Sequence, residues 1–500
     1  MKKIYFTFLA ITFSLSTMAQ IYVDVDATGN NDGTSWADAY TDLKTALDSN
    51  TLVDNPIWIA EGTYYLTAAG NSFTIAHGEN IYGGFNGTET LLTERDFRNN
   101  ITILSGDVNQ NDAGTPASTN NTMTDNAANI IKINSPHQEV ILDGITIESA
   151  FSTTAAGGGI LVQGTDLIDL TVRNCIIRNN VSANRAGLLF YTSKANSHLY
   201  LYNTIIENNV NTGSAAYTIE FRFASGNPTG AAHLVNNLFR NNTCEGSQSG
   251  ITLGRFTNLP QSGEMYVYLV NNIFIDNPQV NPNSALFGFE YGSSVVAQTE
   301  IRMNNNIFYN NPNVIKQFGF LGGSTIQAYN TIMEQDCYEN VQDFTDVYTM
   351  QATHQVSSSP FIDYANGNLV PIAAYQTSGR YQAYDSSYPP YDLAGNPRLT
   401  NTGQIGAGAY QYTASASIND TFNTVGIDVY PNPSKSVFKV KTPKTMLAYK
   451  LFDINGKIIQ SVKQLDKNEI TIDLSKFTSG LYFLQLNTND GIKNVKLMKL

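Results

Sequence analysis

The sequence predicts an all-β chain: a strand-built solenoid with a short helical cap at its N-terminal end, then a small separate β-sandwich. Three observations carry this. An asparagine-rich pattern of nine residues recurs from Val172 onward. The repeating segments are rich in Ile, Val, Phe, Tyr and Thr and poor in helix formers. The sign of the charge then switches near residue 427.

In register, the copies are Val172–Asn180 (VRNCIIRNN), Leu201–Asn209 (LYNTIIENN), Leu234–Asn242 (LVNNLFRNN), Leu269–Asn277 (LVNNIFIDN) and Met303–Asn311 (MNNNIFYNN), with a degraded Ala328–Asp336 (AYNTIMEQD). The lead asparagines Asn174, Asn203, Asn236, Asn271, Asn305 and Asn330 are 29, 33, 35, 34 and 25 residues apart, a solenoid period. Coils stacked at about 4.8 Å align these amides, so the lead asparagines are expected to hydrogen-bond from coil to coil. The apolar pairs Ile176/Ile177, Ile205/Ile206, Leu238/Phe239, Ile273/Phe274 and Ile307/Phe308 are expected to fill the interior. The closing Asn-Asn suits a corner in the αL conformation.

A second strand is expected once per coil, at 159–163 ahead of the first copy and then about ten residues after a copy, at 187–191, 217–223, 250–256 and 286–291. Alternation there predicts Ile219, Phe221 and Phe223 inside, with Glu220 and Arg222 outside. Upstream, Trp36–Leu47 reads as an amphipathic helix with Trp36, Tyr40, Leu43 and Leu47 on one face, covering the open first coil. Residues 57–65 and 81–87 read as early coil strands.

Lys2, Lys3, the apolar run Ile4–Leu15 and the small residues around Ala19 predict a signal peptide over 1–19. No later run reaches the length of a transmembrane helix. The expected organisation is the solenoid over 20–340, its last coils and cap over 341–412, a linker over 413–426 and the sandwich over 427–500. Residues 21–427 hold 15 basic and 36 acidic side chains, net −21, whereas 428–500 is net +6. Such an acidic body disfavours nucleic acid. Cys175, Cys244 and Cys337 are too few and too scattered for a disulfide framework or a zinc site.

Two stretches resemble known families. VDATGNNDGTSWADAYTDL at 25–43, YGGFNGTET at 82–90, ERD at 94–96, ILSGDVNQND at 103–112 and the repeats are similar to the right-handed parallel β-helix proteins of the polymorphic outer-membrane-protein type. SPFID at 359–363, DLAGNPR at 392–398 and QIGAGAYQY at 404–412 resemble the tail of similar β-helix proteins. VYPNP at 429–433, LFDINGKII at 451–459, IDLSKFTSGLYFLQL at 472–486 and KLMKL at 496–500 resemble the type A sorting domain of the type IX secretion system. The resemblance implies export by that machinery, placing the chain outside the cell or on the outer-membrane surface.

No catalytic motif is present. Glu220 and Glu290, the outward carboxylates of the second strands, are expected two coils and one outward position apart, about 12 Å, too far for a glycosidase pair. Gln163, Tyr191, Glu220, Arg222, Arg255 and Glu290 form the candidate ligand face, suited to an extended polysaccharide or a surface. Asp107, Asn109, Asn111 and Asp112 space oxygens as calcium loops do, so calcium is the one cofactor suggested; a polar turn is the competing reading. The expected function is adhesion or glycan binding, with a polysaccharide lyase acting on uronic acids and a structural coat component as alternatives.

Overall fold

The computed structural model describes residues 20–411 and 427–500, except 53–54, 135–138, 166–168, 214–216, 224–228, 247–250, 259–262, 279–284, 292–296, 312–314, 319–324, 335–347, 352–353, 376–386, 399–404, 454–456 and 489–490. The chain divides into two compact units at residues 412/413.

The first unit is a parallel β-solenoid. Among the described residues its strands form sheets of eleven, ten and eight strands and a short one of four. One coil shows the plan: Asp169–Arg173 lies in the first sheet, Ile176–Arg178 in the second, Val181–Asn184 in the short one and Leu188–Thr192 in the third. Each strand pairs in parallel with its counterpart one coil on, as Leu170, Val172 and Ile177 do with Leu199, Leu201 and Ile206. All six are buried in one continuous core with Phe190, Phe221, Phe239, Phe274 and Phe308.

Corners and ladders fall to neighbouring residues. The six lead asparagines adopt φ between 47° and 60°, turning the chain from first sheet to second. They touch across coils unevenly, Asn203 Nδ2 being 3.5 Å from Asn174 Oδ1 and Asn330 Nδ2 2.8 Å from Asn305 Oδ1. The regular amide ladders run one residue later. Asn237 donates to Asn272 and Asn272 to Asn306, each at 3.0 Å. At the next corner Asn180, Asn209, Asn242 and Asn277 each donate to the following coil's asparagine, at 3.0–3.2 Å. The sequence expectation placed the ladder on the corner residue. An αL corner turns that side chain outward, and the next one inward.

The interior also differs from expectation. Of each apolar pair only the second member, Ile177, Ile206, Phe239, Phe274 or Phe308, enters the core, because neighbours on a strand face opposite ways. Among the first members, Leu238, Ile273 and Ile307 point outward and are buried beneath the tail, against Phe361, Leu369, Ala407 and Ala409. The tail presses close: a Cβ on Gly408, at φ 79°, would lie 2.8 Å from Ile307 Cδ1. The buried Arg398 donates to Asn236 Oδ1 at 2.9 Å and to the Gly408 carbonyl, fixing the tail to a corner.

The helix is shorter than predicted, Leu43–Ser49, with Asp42 capping Thr45 N at 2.6 Å. Asp38 and Asp32 accept the amides of Asn30 and Thr34, which holds the preceding residues as loop. Leu43, Ala46 and Leu47 join the solenoid core, whereas Trp36 packs on Tyr22 and Phe85. Cys175 and Cys244 are buried, and burial pushes the Cys175 thiol up to about 12. Cys337 lies outside the described residues.

Among the described residues the second unit is a six-stranded antiparallel sheet. The long strand Val437–Phe452 runs through it. Its first half pairs with Asp428–Tyr430 and Lys467–Asp473, its second with Ile458–Val462 and Gly480–Thr488. Phe438 and Val440 of one half share a core with Leu451, Leu484, Leu486 and Leu497. Hydrogen bonding is therefore continuous through the long strand, and the unit is the small antiparallel β fold expected of this segment.

Candidate functional site

The face singled out from the sequence lies on the third sheet. Its pairing puts Gln163, Tyr191, Arg222, Thr257 and Glu290 in one column, with Glu220 and Arg255 in the next. Gln163 is exposed, and the Arg222 guanidinium sits 5.1 Å from the centre of the Tyr191 ring. Glu220 departs from expectation: it is fully buried, accepting Arg185 Nε at 2.6 Å, and the Arg185 guanidinium lies over the Tyr217 ring. Its strand turns it outward, but the preceding corner roofs it with a guanidinium, which removes it from any ligand. The side chains of Arg255 and Glu290 lie outside the described residues.

In the loop 107–112, Asp107 accepts the amides of Asn111 and Asp112, both at 3.0 Å. The amide of Asn109 goes to Asp125, and Asp112 accepts Asn126 Nδ2 at 2.9 Å. Asp107 thus serves to close the turn. Among the described residues no group of three or more His, Cys, Asp or Glu side chains is placed to hold a metal ion.

A richer face lies on the first sheet, which carries the strand before each lead asparagine. Three residues upstream of Asn174, Asn203, Asn236, Asn271 and Asn305 stand Thr171, Tyr200, His233, Tyr268 and Arg302. Strand pairing stacks these five in one outward column. Tyr200 and His233 stack at 5.2 Å, His233 and Tyr268 at 4.6 Å with 15° between planes, and Arg302 lies 5.7 Å from the Tyr268 centroid. All three rings are half-buried. Face-to-face stacking hides the ring faces and leaves the polar edges outward. Desolvation raises the Tyr200 and Tyr268 hydroxyls above their ordinary value, so both stay protonated donors at neutral pH. In the flanking column His198 is held by Asp169 at 2.8 Å, and Tyr266 donates to Glu264 at 2.5 Å.

Beside the column lies a groove of about 670 Å³. It is lined by Arg95, Arg98 and Phe97 from one loop, Asp143, Arg173, Asn174, Tyr202 and Asn203 from the sheet, and the tail around Tyr388, Tyr391 and Gly395. Tyr388 joins groove to column, its hydroxyl 3.2 Å from His233 Nδ1 and its ring 6.0 Å from Tyr202. Asp143 is buried and shared by Arg95 at 2.5 Å, Arg173 at 2.6 Å and Asn174 at 2.8 Å. The sequence reading missed this face because it began each repeat two residues before the lead asparagine. Polar and aromatic residues recurring three before it were the available signal.

Residues 428–499 match the family model of the secretion system C-terminal sorting domain. The second unit is thus the sorting module of type IX secretion, and it marks the chain for secretion to the cell surface. Its signature pieces meet in space: Asn432 of VYPNP donates to the Lys496 carbonyl at 2.7 Å and accepts Met498 N at 2.9 Å. No curated protein matches the chain. Among the described residues no helix is long and apolar enough to cross a membrane.

Proposed function

We propose that the exported solenoid is a glycan-binding surface protein that holds an extended polysaccharide along the column Tyr200, His233, Tyr268 and Arg302. The supporting observation is the column itself, a row of hydroxyl, imidazole and guanidinium edges repeated at the coil spacing of about 4.8 Å. A chain of sugars offers hydroxyls at a repeating spacing, and a stacked base holds the protein's partners rigid before binding. The flanking pair His198–Asp169, with Tyr200 stacked at 5.6 Å, supports a second reading as a uronate lyase. Absorbance of unsaturated chain ends during the same incubations reads it out.

The binding test is affinity electrophoresis of the full chain and its Tyr200→Phe/Tyr268→Phe variant in polysaccharide gels. The variant keeps both rings and the stack and loses only the hydroxyls. Two hydrogen bonds of about 0.5–1.5 kcal/mol each predict at least fivefold weaker retention at unchanged melting temperature. Retention equal to wild type sinks the reading.

A further inference from the structure

We propose that the groove beside the column is an acid-group subsite, which takes the carboxylate or sulfate of an anionic glycan whose chain continues along the column. This rests on the glycan-binding reading and names the class of polymer. The argument begins with charge. The body from 21 to 427 is net −21, yet the groove gathers Arg95, Arg98 and Arg173 against Asp143 alone. Three positive charges and one negative line the groove; with the Asp96 carboxylate beside Arg98 counted, a positive excess remains in an acidic body, where an oxyanion finds a favourable site.

The three guanidiniums have different tasks. Arg95 is committed: its side chain is 9% exposed, bonded to Asp143 and to the carbonyls of Gly83 and Asp143. Arg173 gives its Nε to Asp143, is 39% exposed and lines the groove. Arg98 is exposed and makes no ion pair with any described residue; its guanidinium lies 4.6 Å from the centre of the Phe97 ring. The nearby Asp96 carboxylate is turned to Asn99 Nδ2 and to the amides of Arg98 and Asn99. Gly395, at φ 89°, brings the tail against the same guanidinium: a Cβ there would lie 3.1 Å from Arg98 Cζ. Arg98 and Arg173 thus present planar donor forks on a groove whose floor is already neutralised, the arrangement that suits a bidentate oxyanion.

An independent observation points to a sugar beside the acid. Asn203 is 8% exposed and lines the groove, and its Oδ1 accepts no hydrogen bond from any described residue. A buried acceptor without a donor is costly, and a sugar hydroxyl supplies one. Tyr202 and Tyr388 then carry the chain from groove to column.

The test compares polymers that share a backbone and differ in charge: polygalacturonate against its methyl ester, and dextran sulfate against dextran. The full chain and its Arg98→Gln and Tyr200→Phe/Tyr268→Phe variants are measured by affinity electrophoresis at 50 mM and 500 mM salt. Wild type is expected to hold at least one acidic polymer ten times more tightly than its neutral partner at low salt, and Arg98→Gln to cut that ratio below three without weakening the neutral partner. The hydroxyl variant is expected to weaken both members of the pair alike. An acid-to-neutral ratio unchanged in Arg98→Gln overturns the subsite and leaves the column standing. Unchanged binding by the hydroxyl variant overturns the column, and retention of none of the four polymers overturns both.

Discussion

A chain lacking residues 491–500 is expected to stay inside the cell, its extracellular amount falling at least tenfold. The strand Gly491–Lys499 pairs with Gly480–Thr488 along its full length. It supplies Val495 and Leu497 to a core that holds Leu484, Leu486 and Tyr482. Removing it uncovers those side chains, at about 1.5–3 kcal/mol for each one fully exposed, and strips one edge of hydrogen bonds. It also takes away both partners of Asn432, so the VYPNP turn loses its anchor. A module of this size has only about 3–5 kcal/mol to lose. Immunoblotting of culture medium and cell surface against whole cells measures the outcome. Leu497→Asp, which leaves the length unchanged, is expected to do the same; undiminished export of both would mean that the strand is dispensable for recognition.

The second large effect is expected in the amide ladder. Asn272 is fully buried and makes four side-chain bonds: it accepts the backbone N–H of Asn237 at 2.9 Å and Asn237 Nδ2 at 3.0 Å, and donates to the Leu234 carbonyl at 2.8 Å and Asn306 Oδ1 at 3.0 Å. Alanine at this position leaves those four groups short of a partner in a place that water does not reach. Each orphaned group costs about 1–3 kcal/mol, and partial relaxation brings the sum to roughly 3–4 kcal/mol. Thermal unfolding of Asn272→Ala should show that loss, while Gln163→Ala, at an exposed position, should stay within about 0.5 kcal/mol of wild type. Equal melting of Asn272→Ala and wild type would remove the ladder from the account of stability.

Much of the solenoid was legible because its physics repeats. Each coil must bury the same column and turn the same corner, so the asparagines and apolar pairs recur and the period can be read directly. What the repeat could not supply was direction within it. Asn236 and Asn237 are identical in type, yet one turns the chain and the other carries the ladder; only the αL corner separates their roles. Likewise Leu238 and Phe239 are equally apolar, and the tail that buries the first comes from residues 361–409, which carry no period. Glu220 looked free because the strand pattern says nothing of the corner that delivers Arg185. The groove was illegible for a similar reason: Arg95 and Arg98 meet Arg173 and Tyr388 from three distant segments. The column at Tyr200, His233 and Tyr268 was legible in principle, since it keeps the period at a fixed offset.

The central claim is that ligand lies on the first sheet, along that column. Hydroxyl-radical footprinting of the full chain with and without polygalacturonate tests it most directly. Tyr200, Tyr268 and His233 should lose reactivity by at least threefold when the polymer is bound, with Tyr191 on the third sheet unchanged. Protection of Tyr191 in place of these three, or no protection on either sheet, would contradict it.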